Sequence, residues 1–142
     1  MELENKFKEM INRIKHPSEL RLDNMLDPYF LGGDEEELVS DILFCTQDWE
    51  RNQRNEIHGG AIASMFDTAM GVTAAVFEGS GSVSTADLQV SFIRPFLSGA
   101  FIFTTQITSI GKTLLRATCV AKEKQSGKIV ATASGTFVPF KK

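Results

Sequence analysis

The sequence predicts an α+β domain: a curved antiparallel sheet wrapped around one long central helix, with an amphipathic helix ahead of it. Two observations carry the prediction. Residues 58–77, "HGGAIASMFDTAMGVTAAVF", are apolar on nearly every helical face, and such a helix must be enclosed rather than docked along one stripe. Four strand-like segments then follow almost without interruption, and helices grouped on an antiparallel sheet are the α+β solution. At 142 residues the chain suggests one domain.

The elements follow in order. Leu3, Phe7, Met10, Ile11 and Ile14 recur at helical spacing, which predicts an amphipathic helix over 3–16. Pro17 ends it, and Ser18 can start a short second helix through Leu26. "YFLGGDEEE" reads as a turn and a solvated edge, and "LVSDILFCTQDW", residues 38–49, as a strand. "EGSGS" closes the long helix as a loop. Strands are expected over about 83–94, 100–110, 113–124 and 128–139. Ala86, Leu88, Val90 and Phe92 alternate with polar residues, as half-buried strands do. Similar stripes run through Leu115, Ala117, Cys119 and Ala121, and through Ile129, Ala131, Ala133 and Phe137. "SIGKT" and "KQSGK" read as hairpin turns. Residues 1–27 form a helical extension and 28–142 the main domain.

Composition narrows the function classes. At 42% hydrophobic and 23% charged residues, the chain is of ordinary globular type. No apolar run approaches the ~20 residues needed to span a membrane. The charged start "MELENKFKEM" lacks the apolar core of a secretory signal, so the expected location is cytoplasmic. Cys45 and Cys119 are expected to be buried free thiols. His16 and His58 lie far apart without ligand spacing, so no metal site is expected. Net charge is −3, but residues 112–142 carry seven basic side chains against Glu123 alone. That is a solvated strand face, or a patch for a phosphorylated small molecule with Lys112 and Arg116 as candidates. Nucleic acid is not an expected partner, because the chain is acidic overall and lacks the usual motifs.

Asp67 breaks the apolar run. Its helical neighbours Ala63, Ser64, Met70 and Gly71, extended by Gly60, Ala74 and Ala75, form a strip that is small apart from Met70. Burying an unpaired carboxylate costs several kcal/mol, so Asp67 needs hydrogen-bond partners or a task. At the other end, Gly59 and Gly60 place bare backbone N–H groups at the positive helix terminus. Such a place can hold a carbonyl oxygen turning into an oxyanion. Eight positions separate Gly59 from Asp67, about 12 Å of rise. If both serve one reaction, the carboxylate must come from a second copy of the helix, in a two-fold dimer with two equivalent sites.

The run "NQRNEIHGGAIASMFDTAM", with Asn52 six before His58 and Asp67 nine after it, resembles the signature of hotdog-fold thioesterases of the phenylacetic-acid-degradation type. "VSTADLQVSFIRP" and "SIGKTLLRATCVAKEKQSGKIVATASGTF" are similar to the family's strands, and the resemblance covers about residues 30–139. It implies a sheet wrapped around a helix, homodimers that can pair into tetramers, acyl-CoA substrates and no cofactor. It further implies that the Gly59 N–H polarises the thioester carbonyl and that Asn52 positions the carbonyl or the water. Asp67 of the partner would be general base or nucleophile. Thr85 takes the place of a Ser or Thr that orients the water, and His58 holds the loop. One departure is Asn55, where the family has Gly; Asn tolerates positive φ better than most residues. Thr85 also falls on the opposite strand parity from Leu88 and Val90, so it reaches the site only if the strand is bulged or its polar face lines the site.

A thiol of pKa ~8.5 leaves as thiolate without a general acid, so few groups suffice. Two other readings remain open: a non-catalytic acyl-CoA-binding or sensing domain, and a hydratase or dehydratase, whose His-x-x-x-x-Gly pattern is absent. The six phenylalanines Phe92, Phe96, Phe101, Phe103, Phe137 and Phe140 belong to the core or to an acyl tunnel.

Overall fold

A computed structural model describes residues 2–15 and 20–140; the expected helix boundaries at His16, Pro17 and Ser18 lie outside them. The elements are α1 (Leu3–Ile14), α2 (Leu22–Leu26), β1 (Tyr29–Asp34), β2 (Val39–Cys45), α3 (Gly59–Glu78), β3 (Val83–Phe92), β4 (Ala100–Ile110), β5 (Leu115–Glu123) and β6 (Ile129–Pro139). All pairings are antiparallel in one six-stranded sheet of order β1-β2-β4-β5-β6-β3. The sheet curls around α3, so the expected α+β hotdog architecture is borne out.

Alternation along β4, β5 and β6 turns every second residue onto α3. Phe101, Phe103 and Ile107 from β4, Leu115, Ala117, Cys119 and Ala121 from β5, and Ala131, Ala133 and Phe137 from β6 are all buried. They meet Ile62, Met65, Phe66, Ala69 and Met70 of α3. Phe103 is the aromatic centre, with Phe66, Phe44 and Phe96 rings at 4.7, 5.0 and 6.4 Å. Phe96, Phe101, Phe103 and Phe137 are thus core, whereas Phe92 and Phe140 are exposed. Helix α1 closes one end: Phe7 stacks on Phe30 at 4.4 Å and meets Phe77 edge-on at 5.7 Å. The buried hydroxyls of Ser40 and Thr73 bond each other at 2.6 Å, as buried polar groups must.

Several expectations are corrected. Within "YFLGGDEEE" the first six residues are an edge strand, and the turn is confined to the acidic residues after Asp34. A Cβ on Gly33 would lie 2.5 Å from the Val39 carbonyl oxygen, so the glycine marks close strand approach. The strand expected to reach Trp49 stops at Cys45. Residues Asp48–Glu50 form a single 3₁₀ turn, closed by reciprocal bonds between Gln47 and Glu50. In β6 a bulge between the Ala131 and Ile129 pairings turns Ile129 outward and Val130 into the core. Helix α3 is long and apolar enough to cross a membrane, contrary to the sequence expectation, but ten of its residues are buried within this domain.

Cys45 is exposed rather than buried. Cys119 is buried, takes a hydrogen bond from the Thr105 hydroxyl at 3.3 Å, and has its thiol pushed up to about 12 by burial. Only thiolates react. Native protein is therefore expected to titrate one thiol per chain with an aromatic disulfide reagent, and the second only in denaturant. Fast modification of both would contradict this packing.

Candidate active site

The loop before α3 is built from its own polar groups. Arg51 and Ile57 form an isolated antiparallel bridge. Between them Asn52 Oδ1 accepts from the N–H groups of Arg54 (2.9 Å) and Glu56 (3.2 Å). The Asn52 N–H donates to the Glu56 carbonyl at 2.8 Å. This leaves the Asn52 side-chain nitrogen without a partner among the described residues. Asn55 sits at φ 63°, the left-handed turn for which the resembling family carries Gly, and which Asn can adopt.

Two further bonds aim the helix start. The Ile57 N–H donates to the Phe96 carbonyl at 2.9 Å and the His58 N–H to the Glu50 carbonyl at 2.7 Å. His58 is the N-cap, and its Nδ1 accepts the Gly60 N–H at 2.8 Å. That ring nitrogen is therefore occupied by the backbone. The Gly60 N–H is occupied too, whereas the Gly59 N–H meets no backbone acceptor outside the helix among the described residues and lies in its first turn, where none exists inside it. Gly59 lines a pocket of about 400 Å³ with Asn52, Arg54, Ile62, Phe92 and Arg94. The Phe92 ring passes 3.4 Å from where a Gly59 Cβ would stand.

Glu50 was not legible as part of this region, although "QDWE" has capping-box spacing. It is 1% exposed. Its Oε1 accepts the Gln47 N–H at 2.7 Å, and its Oε2 has no partner among the described residues. Burial pushes its carboxyl above the usual range, against the opposing pull of the Gln47 N–H and of Arg51. Its side chain closes the 3₁₀ turn, and its backbone carbonyl ties that turn to His58 at the entry to α3.

About two turns further along α3, near its middle, stands Asp67, half-buried rather than buried in the single chain. Of the small-residue strip, Gly60, Ala63, Ser64 and Gly71 are exposed or half-buried, but Ala74 and Ala75 turn into the core. The Thr85 hydroxyl donates to Asp67 Oδ1 at 2.6 Å. The parity problem is resolved by a bulge: Thr85 pairs with Phe137, while Asp87 pairs with Thr136 and Leu88 with Gly135. The extra residue, Ala86, puts Thr85 on the same face as Leu88 and Val90. Asp67 and Thr85 line a second pocket, of about 180 Å³, together with Asp23 and Thr68. No sequence signal pointed to Asp23, whose Oδ1 accepts from the Thr68 hydroxyl at 2.7 Å.

The two pockets share no residue. Asn52, Gly59 and His58 are brought together at the N-terminal end of α3, and Asp67 and Thr85 meet near its middle. Lys112 and Arg116 join neither group. Lys112 lies in the β4–β5 turn, and Arg116 alternates with the buried Leu115 and Ala117, so it projects from the sheet face opposite α3.

Sheet, enclosed helix and capped glycine turn together define a hotdog-fold protein. The chain matches the model of the thioesterase superfamily over residues 55–130, just over half its length, and it belongs to that family. Solved structures agree. The phenylacetic acid degradation-related protein of Ralstonia eutropha JMP134 is 24% identical, with 94% of this chain and 99% of that chain covered and a TM-score of 0.78. Thioesterase superfamily member 2 of Mus musculus is 18% identical over 99% of both chains, with a TM-score of 0.82. A Streptococcus mutans UA159 protein solved with acetyl-CoA bound is 16% identical, covering 90% of this chain and 98% of that one, with a TM-score of 0.73. No curated protein matches the chain in sequence.

Proposed function

We propose that the protein hydrolyses acyl-CoA thioesters at sites shared between two copies of the chain. The observation that carries this reading is the direction of α3 against β3. Gly59 lies by Phe92 at one end of β3, and Asp67 bonds Thr85 at the other. β3 is also an edge strand, with Phe92 and the adjoining Ile93 each 54% exposed. Two β3 edges meeting antiparallel about a two-fold axis would lay the Asp67–Thr85 pair of one copy beside the Gly59 turn of the other. Both unsupported features, an open edge and a divided site, are relieved by the same association. Membership of the thioesterase superfamily supports the reaction class, and the acetyl-CoA held by the Streptococcus mutans protein supports the ligand class.

In this arrangement the thioester carbonyl oxygen accepts the Gly59 N–H, and the Asn52 amide nitrogen steadies the carbonyl or the water. Water, held by Asp67 and Thr85, attacks the carbonyl carbon and passes a proton to Asp67. The C–S bond breaks and the thiolate leaves, to be protonated from solvent. The products are the free acid and CoA. Asp67 can alternatively attack directly through an anhydride; heavy-oxygen label entering the acid from Asp67 in a single turnover separates the two routes. His58 contributes no proton step, because its Nδ1 caps the helix.

The test is complementation. Inactive Asp67→Ala chains mixed with inactive Asn52→Ala chains should recover activity, since a mixed dimer contains one site with both groups intact. Dimers that exchange subunits yet recover nothing would refute the shared site. Thioether analogues that bind with no thioester turnover by wild type would favour the binding-domain reading.

A further inference from the structure

Asn55 holds a left-handed backbone, φ 63°, in the turn that leads from Asn52 to His58. Glycine adopts such a φ freely, whereas a residue with a Cβ does so at a cost that asparagine lowers but does not abolish. The carbonyl of Asn55 and the N–H of Glu56 belong to one peptide unit, which moves as a rigid plane. Both ends of that plane are held. The Glu56 N–H donates to Asn52 Oδ1 at 3.2 Å, and the Asn55 carbonyl accepts from Arg51 Nη1 at 2.8 Å. A rotation of the plane would break both bonds and release the Asn52 side chain. Arg51 is itself anchored outside the turn. Its Nη2 donates to Ser98 Oγ, between β3 and β4, close to the Phe96 carbonyl that holds Ile57. Its Nε faces Asp48 Oδ1 at 3.4 Å, but that carboxylate is fully exposed, so this contact adds little. The two short bonds need the planar fork of a guanidinium, which lysine lacks.

We infer that Arg51 is a positioning residue for the proposed hydrolysis: its guanidinium locks the Asn55–Glu56 peptide plane and so aims the Asn52 amide at the thioester. The role in hydrolysis rests on the thioesterase reading above; the lock itself is a property of the turn. The lock is needed because residue 55 is asparagine. Without Arg51 an asparagine returns to the right-handed or extended backbone it prefers, and Asn52 loses the Glu56 N–H. A glycine at 55 would keep the left-handed backbone populated without help. Arg51 and Asn55 therefore form a coupled pair, and the dependence of the site on the arginine is set by the residue whose carbonyl it holds.

The test is a double-mutant cycle in the full chain: Arg51→Lys, Asn55→Gly and the two together. Lysine keeps the positive charge that acts on Glu50 and removes only the fork. Arg51→Lys alone should lower kcat by about 10-fold or more, since misplacing a positioned group by about 1 Å can cost as much as 10²-fold. Affinity for a thioether analogue of acetyl-CoA should change by less than about 3-fold, because the loss falls on the transition state. Asn55→Gly alone should leave kcat within about 3-fold of wild type, and in its background Arg51→Lys should cost less than about 3-fold, the two sites being coupled. Amide hydrogen exchange at Arg54 and Glu56, followed by NMR, reads the lock without turnover. It should quicken by about 10-fold or more in Arg51→Lys and return to within about 3-fold of wild type in the double variant. Losses of equal size in both backgrounds overturn the coupled pair and leave the reaction standing. Exchange unmoved by Arg51→Lys overturns the lock, whatever happens to kcat. A wild-type chain without thioester turnover, whose exchange shows the coupling, keeps the lock and overturns the reaction.

Discussion

Asp67→Asn is expected to lower kcat by about 10²–10⁴-fold, the range typical for loss of a positioned base, with KM and melting temperature little changed. The amide keeps the volume of the carboxylate and can still accept the Thr85 hydrogen bond of 2.6 Å, so the local structure has no reason to move. What it loses is basicity. An ionised carboxylate is a weak base, and its effect depends on being held close to the attacked carbon. The bond to Thr85 supplies that hold, so Thr85→Val should reduce kcat by a smaller factor and Thr85→Ser should restore most of it. Steady-state kinetics with free-thiol detection, together with circular dichroism, checks all three. An Asp67→Asn enzyme with wild-type kcat would remove the carboxylate from the chemistry.

The second large effect is on stability. Phe103→Ala is expected to cost about 3–5 kcal/mol, as for other buried aromatics cut to alanine. Phe103 is fully buried and its ring meets those of Phe44, Phe66 and Phe96. It therefore joins β2, β4, α3 and the segment after β3 in one contact set. Domains of this size are stable by only about 5–15 kcal/mol, so about a fifth or more of the total is at stake. Phe140→Ala, at a site 56% exposed, should stay within about 0.5 kcal/mol. Urea unfolding of the pair at matched protein concentration measures the contrast.

The sequence revealed most where one physical rule dominated. A helix apolar all round has to be wrapped, and the strand expected over about 100–110 coincides with β4. It failed where tertiary context decides. Gly32 and Gly33 look like a turn until β2 is laid beside them. The inward turn of Thr85 depends on a bulge at Ala86, which alternation alone cannot locate. Val130 for Ile129 in the core is the same failure in β6. Of the candidate site, the Asn52, His58 and Gly59 turn was legible because local spacing and backbone conformation fix it. Met10, Ile14 and Asp23 were not, because the fold brings them to Asp67 from some 44 to 57 positions earlier in the chain.

Helix α3 also acts as a ruler. Each residue added between Gly59 and Asp67 would swing the carboxylate by roughly 100° and lift it by about 1.5 Å, out of reach of the Thr85 hydroxyl. Substitutions along that stretch can be absorbed by neighbouring side chains, but a change in its length cannot. Insertions should be tolerated at the tips around Gly79 and Gly127, where added side chains would meet open space, and rejected anywhere in the two turns of helix that set the spacing.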